Sequence, residues 1–315
     1  MMSTLTERLQ NLGLFDSSFL AFNPTGEKAW IKANFDDVPP YLIRVFTPQS
    51  AGSTDECWVK SRDARYSNKL SAVDIFTRDN DHVANMLNIH LRWWGKSGDS
   101  DNVTSWTGSW LFALQYIFHL HKNIRDASSL DDIKICMIDT TLFPKGYFVR
   151  DMDLIRAYEQ FNPGLRDLGR LRSKKHKHYG GSYYFGEYLS QGALRIERKC
   201  KIVPASAVVD NGLFTIQPLF REFENWEVTR TPPWANEVIR LREDFYGTES
   251  EIHQDEIQAS IDIAKLFGPD FRLPMAAGLI GLLPRRADDA SIQRVFRSTP
   301  FTEESMLSVR EYPEF

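Results

Sequence analysis

Val103-Thr104-Ser105-Trp106-Thr107-Gly108-Ser109-Trp110-Leu111-Phe112-Ala113-Leu114 changes period part-way along. Its first five residues are rich in β-branched and aromatic side chains and read as extended chain. From Gly108 to Lys122 the sequence is apolar on most sides, with Trp110, Phe112, Tyr116 and Phe118, which predicts a helix at the centre of a core. Hydroxyls crowd the junction at Ser105, Thr107 and Ser109. They either cap that helix or hold a ligand at its N-terminus, where unpaired backbone N–H groups favour anions.

On the N-terminal side, Tyr41-Leu42-Ile43-Arg44-Val45-Phe46 reads as a strand stopped by Thr47-Pro48, with an extended piece at Cys57-Trp58-Val59. Arg44 sits mid-strand and points either to solvent or into a site. Thr4–Leu14 predicts a short helix, and Asp81–Trp94 a strong one, with Val83, Met86, Leu87, His90, Leu91 and Trp94 at helical spacing. On the C-terminal side, Ile133–Ile138, Tyr147–Val149, Ser182–Leu189, Lys201–Val203 and Leu213–Leu219 read as strands, and Met152–Phe161 as a helix. Beyond Pro232-Pro233 the chain is mainly helical. Strands and helices do not alternate regularly, so the expectation is an α+β core over residues 1–225 and a helical extension over 226–315. No glycine-rich phosphate loop follows a strand, which argues against P-loop and Rossmann chemistry.

The chain has 315 residues and a formal charge of −4, so contact with nucleic acid would have to run through a local patch. One segment offers it: Arg166, Arg170, Arg172, Lys174, Lys175 and Lys177 form either a phosphate footprint or a solvated loop. The run leads into Tyr183-Tyr184-Phe185-Gly186-Glu187-Tyr188-Leu189-Ser190-Gln191-Gly192. Glu187, alone among aromatics, is either a surface strand residue or an acid/base centre. Tyr183, Tyr188, Ser190 and Gln191 are substrate-binding candidates beside it.

Three cysteines, Cys57, Cys136 and Cys200, are too few and too far apart for a disulfide framework. His119 and His121 fall on different faces of their helix, and no Cys or carboxylate completes His82 and His90 at ligand spacing, so no metal site is expected. Met1–Gly13 lacks an apolar core segment, and the longest apolar run, Met275–Leu283, is too short for a bilayer. The expected setting is soluble and cytoplasmic.

Arg44 on an early strand, Ser105 with Thr107 and Ser109 at a strand-to-helix junction, and Glu187 on a late strand resemble the pattern of the ADP-ribosyltransferase-like fold, over roughly residues 40–220. That resemblance implies a mixed or antiparallel sheet core with flanking helices, and NAD as cofactor. The residue two before Glu187 is Phe185, so the paired glutamates of arginine-modifying transferases are absent. Across nearly the whole chain, Trp58–Ala64, His90–Trp94, Arg150–Leu154 and Gly186–Gly192 resemble a group of fungal proteins that includes the arginine-containing cyclodipeptide synthases. That second resemblance implies joining of aminoacyl groups from charged tRNAs into a diketopiperazine without a cofactor. Under it, the basic run tracks phosphates, and Trp93, Trp94, Trp106 and Tyr183 are stacking candidates. Asp151, Asp153 and Glu187 could hold an arginyl fork. Glu187 shuttles a proton, and Ser105 or Ser190 carries a transient acyl group. A non-catalytic RNA-binding module is the third alternative.

Overall fold

A computed structural model describes residues 20–95, 99–175, 183–247 and 253–282. The predicted helix at Thr4–Leu14 and Lys177 of the basic run lie outside them. The strands are β1 (Tyr41–Phe46), β2 (Ser53–Thr54), β3 (Trp58–Lys60), β4 (Val103–Thr107), β5 (Lys134–Asp139), β6 (Val149–Arg150), β7 (Glu187–Gln191), β8 (Ala193–Arg195) and β9 (Cys200–Pro204). Six of them form an antiparallel sheet in the order β6-β7-β4-β1-β5-β9. A smaller sheet runs β2-β3-β8. The architecture is α+β.

Both faces of the large sheet are covered, which is why Leu42 and Ile43, adjacent on β1 and pointing opposite ways, are both buried. One face carries Leu42, Trp106, Cys136 and Tyr188 and packs against Val59 and Leu194 of the small sheet. The other carries Ile43, Ile135 and Met137 and is covered by helix α2. The major helices are α1 (Asn80–Leu91), α2 (Trp110–Lys122), α3 (Asp151–Tyr158), α4 (Pro163–Arg172), α5 (Ala205–Asp210), α6 (Ala235–Gly247), α7 (Gln254–Leu266) and α8 (Pro269–Ile280). α1, α3 and α4 form a separate cluster against Val103, Val149 and Leu189, at the β6–β7 end of the sheet. Asp79 caps α1, which starts one residue before the expected Asp81, and accepts from His82 N at 2.9 Å.

Helices α6–α8 add Val238, Leu241, Met275 and Leu279 to the cluster around α2. The segment leading into α6 is strapped along α2. Thr229 exchanges backbone hydrogen bonds with Lys122 and Ile124, while His119 and Gln115 donate to the carbonyls of Pro232 and Pro233. Among the described residues no helix is long and apolar enough to cross a membrane.

Three elements differ from the sequence expectation. Much of the basic segment is not a loop but helix α4, with Asn162 as its cap and Pro163 at its start. The strand leading to Glu187 begins only at Glu187, because Gly186, at φ 63°, turns the chain there. Leu213–Ile216 is a helical turn and not a strand. Gly212, at φ 106°, reverses the chain, and Leu213 and Ile216 then bury together at helical spacing.

Candidate active site

β1 and β4 are neighbours in the sheet but pair at a single position, Ile43 with Thr107. Beyond it Arg44 takes the place of a strand partner. Its Nη1 donates to the Ser105 carbonyl at 3.1 Å, and its Nε donates to Thr54 Oγ1 at 3.2 Å. Burial lowers the pKa of this guanidinium, against the opposing pull of Cys136, Tyr116 and Asp101. A cavity of about 370 Å³ opens at the split, lined among others by Arg44, His90, Trp93, Ser105, Tyr116 and Glu187.

Ser105 is the hub. Its Oγ donates to Glu187 Oε1 at 2.5 Å and lies 2.7 Å from His90 Nε2. The other ring nitrogen of His90 is 2.8 Å from Asp101 Oδ2. Asp101 is fixed in turn: Oδ1 accepts from Val103 N at 3.2 Å, and its backbone exchanges hydrogen bonds with buried Asp63. Glu187 Oε2 accepts from Arg172 Nη2 at 2.8 Å.

Counting hydrogens assigns the protons. A carboxylate only accepts, so His90 Nδ1 must carry a hydrogen toward Asp101. The single Ser105 hydrogen goes to Glu187, so Nε2 donates to Oγ. The ring in this arrangement is an imidazolium. Its pKa follows the same logic: burial lowers it, but the charge and hydrogen bond of Asp101, helped by Glu187, outweigh burial and Arg44 and leave it raised. The result is a serine hydroxyl held between a cationic donor and a carboxylate acceptor.

Strand parity explains which expected residues join this site. On β7, Glu187 faces the cavity, whereas Tyr188 and Ser190 point to the opposite face. Ser190 is buried and accepts from Trp106 Nε1 at 2.9 Å, and the Tyr188 hydroxyl donates to Asp37 O at 3.4 Å. Ser190 is therefore no acyl carrier for this cavity. Gln191 is buried at the far end of β7, tying Asp74, Ile75 and Ala21 together. Thr107 lines the cavity, but its hydroxyl donates to Phe185 O at 2.6 Å and accepts from Ser109 N. Ser109 caps α2. Tyr183 donates to Asn236 at 3.2 Å.

The arginyl-fork candidates are also committed elsewhere. Asp151 is fully buried and bonded to Arg172, and Asp153 is held by Arg150 and Asn34. Arg172 itself is 7% exposed and leaves the basic track. On α4, Leu165, Leu168, Gly169 and Arg172 recur at helical spacing and face inward, while Arg166, Arg170 and the following Lys174 form an exposed stripe at four-residue spacing. Arg172 thus bridges Asp151 and Glu187, and its Nη2 also reaches Leu91 O at 3.4 Å. That bond sets the end of the basic helix beside the end of α1, where His90 sits.

His90 escaped the sequence reading of this site because it lies on a different element from Ser105, and Asp101 because its partner is His90. One signal was available: His90 occupies the apolar stripe of α1. Among the described residues, no group of three or more His, Cys, Asp or Glu side chains is arranged to hold a metal ion.

A family model described as a domain of unknown function, DUF7587, matches residues 37–198. That segment contains Arg44, His90, Asp101, Ser105, Arg172 and Glu187. No curated protein and no solved structure matched the chain.

Proposed function

We propose, for a chain that belongs to the DUF7587 family, that the cavity carries out acyl transfer from aminoacyl-tRNA and joins two aminoacyl groups into a cyclic dipeptide, one of them arginyl. The observation that carries this reading is Ser105 Oγ between Glu187 at 2.5 Å and His90 at 2.7 Å, with His90 oriented by Asp101. A hydroxyl placed between a carboxylate that can accept its proton and an oriented cationic donor beside the reacting carbonyl suits nucleophilic acyl transfer.

Ser105 Oγ attacks the ester carbonyl carbon of the first aminoacyl group while its proton passes to Glu187. The ester C–O bond breaks and the ribose oxygen departs with that proton. The amine of the second aminoacyl group then attacks the seryl ester; the C–N bond forms, the seryl C–O bond breaks, and the amine proton passes through Glu187 to Ser105 Oγ, which restores the hydroxyl. The remaining amine closes the ring by attacking the second ester carbonyl; its proton leaves with the second ribose oxygen as that C–O bond breaks. Arg44 and His90 supply positive charge beside the oxyanion formed at each attack. Arg166 and Arg170 are exposed on the helix whose end Arg172 ties to the site, and Lys174 and Lys175 are exposed just beyond that end, which suits a phosphate-bearing donor.

The test is product formation from arginyl-tRNA and a second charged tRNA, read by mass spectrometry. Ser105→Ala should abolish the cyclic product, and Glu187→Gln should slow it by about 10²–10⁴-fold. Charge reversal at Lys174 and Lys175 should raise the tRNA concentration needed. A second reading, NAD-dependent ADP-ribosyl transfer on an ADP-ribosyltransferase-like core, is favoured by the meeting of Arg44, Ser105 and Glu187 in one cavity. Consumption of NAD by the wild type, with no cyclic dipeptide, would replace the first reading with the second.

A further inference from the structure

Trp94 follows Trp93 at the end of α1, and the two tryptophans have different surroundings. Trp93, in a left-handed backbone conformation at φ 56°, stacks on Trp234 at 4.3 Å and meets Tyr116 at 4.8 Å, so its ring belongs to the cavity wall. Trp94 is 59% exposed. Its two chain neighbours, Trp93 and Gly95, both line the cavity, so Trp94 stands at the rim. Its backbone is held by a hydrogen bond from Trp94 N to Ile89 O at 3.0 Å.

The ring also has a fixed cationic backing. The Arg92 guanidinium lies 4.9 Å from the ring centroid. Arg92 is itself immobilised, with Nε donating to Asn88 Oδ1 at 3.0 Å and Nη2 to Gly164 O at 2.8 Å. Gly164 is the second residue of α4, two before Arg166, so Arg92 ties the end of α1 that carries Trp94 to the start of the helix that carries the exposed Arg166–Arg170–Lys174 stripe. A flat exposed ring with a pre-set cation behind it, on an element tied to a row of cations, has the chemistry of a single-strand platform. Unpaired bases stack on such rings whatever their identity, and cations follow the backbone. A duplex hides its base faces and offers only the phosphates.

We propose that Trp94, backed by Arg92, is the stacking platform for the unpaired bases next to the reacting end of an RNA donor. This rests on the aminoacyl-RNA reading of the cavity. It adds a site for the donor's single-stranded end, a few residues along the chain from His90.

The probe is a fluorescein-labelled single-stranded RNA ending in -CCA, compared with a blunt RNA duplex of equal length, by fluorescence anisotropy. The proteins are the full chain, Trp94→Ala, Trp94→Phe, and Lys174→Glu with Lys175→Glu. Trp94→Ala should weaken single-strand binding by about tenfold or more and leave duplex binding unchanged. Trp94→Phe should retain most of the affinity, and the charge reversal should weaken both probes. Single-strand binding unchanged in Trp94→Ala but weakened by charge reversal overturns the platform and leaves the RNA reading standing. Absence of RNA binding by the wild-type chain overturns both. Circular dichroism confirms that each variant is folded.

Discussion

The Ser105 hydroxyl is set between two side chains brought from elsewhere in the chain, His90 and Glu187. Asp101 orients His90, and Glu187 accepts the hydroxyl's hydrogen bond. The raised pKa of His90 has a sign that can be checked. A group whose pKa is higher in the folded chain contributes stability fully below its ordinary value, near 6.5. That contribution is lost as pH rises through the folded value. Removing the Asp101 charge removes the main force opposing burial, so the His90 imidazole of Asp101→Asn should titrate lower than that of the wild type. The ring proton resonances of His90 followed by NMR give the midpoint directly, and an unchanged midpoint would assign the shift to some other group. Arg44, Ser105 and Glu187 were legible because each breaks the pattern of its own strand or junction. His90 was half legible, as a polar residue in an otherwise apolar helical stripe. Asp101, in a polar turn, carries no such mark.

At the scale of the element, α4 shows how spacing sorts like residues into unlike roles. Arg166 and Arg170 fall on the outer face and Arg172 on the inner one. Arg172→Met would leave Asp151 as a buried charge without its partner, a change that costs about 3–5 kcal/mol. Arg170→Met, at an exposed position, should stay within about 0.5 kcal/mol. Urea unfolding of the two variants separates the cases, and equal stabilities would mean that Arg172 bears no structural load. Reading the segment as a run of charges hid this, because charge counting ignores the 100° step between successive helical residues. The Leu213–Ile216 turn was misread for a related reason. Leu213 and Ile216 suit a strand as well as a helix, and the backbone reversal at Gly212 decides between them.

Across the whole molecule, α8 and α2 meet closely. A Cβ added at Gly278 would lie 2.2 Å from Trp110 Cδ1, so the indole ring would have to move. Gly278→Ala is expected to destabilise the chain by about 1–3 kcal/mol through overpacking, although alanine favours the helix. A lowered thermal midpoint checks it, and a raised one would mean that the ring gives way without cost. This contact and the strap of residues 229–234 along α2 fasten the C-terminal helices to the sheet whose split holds the cavity. The sequence by itself determined the α+β class, the central strand and helix, and three side chains of the site. Those follow from local periodicity and from polar residues at positions where apolar ones belong. Only the tertiary structure decided that β1 and β4 part after one pairing, that His90 reaches Ser105 with Asp101 behind it, and that Arg172 turns inward. Each depends on contacts between separate elements, and no local pattern encodes where two such elements meet.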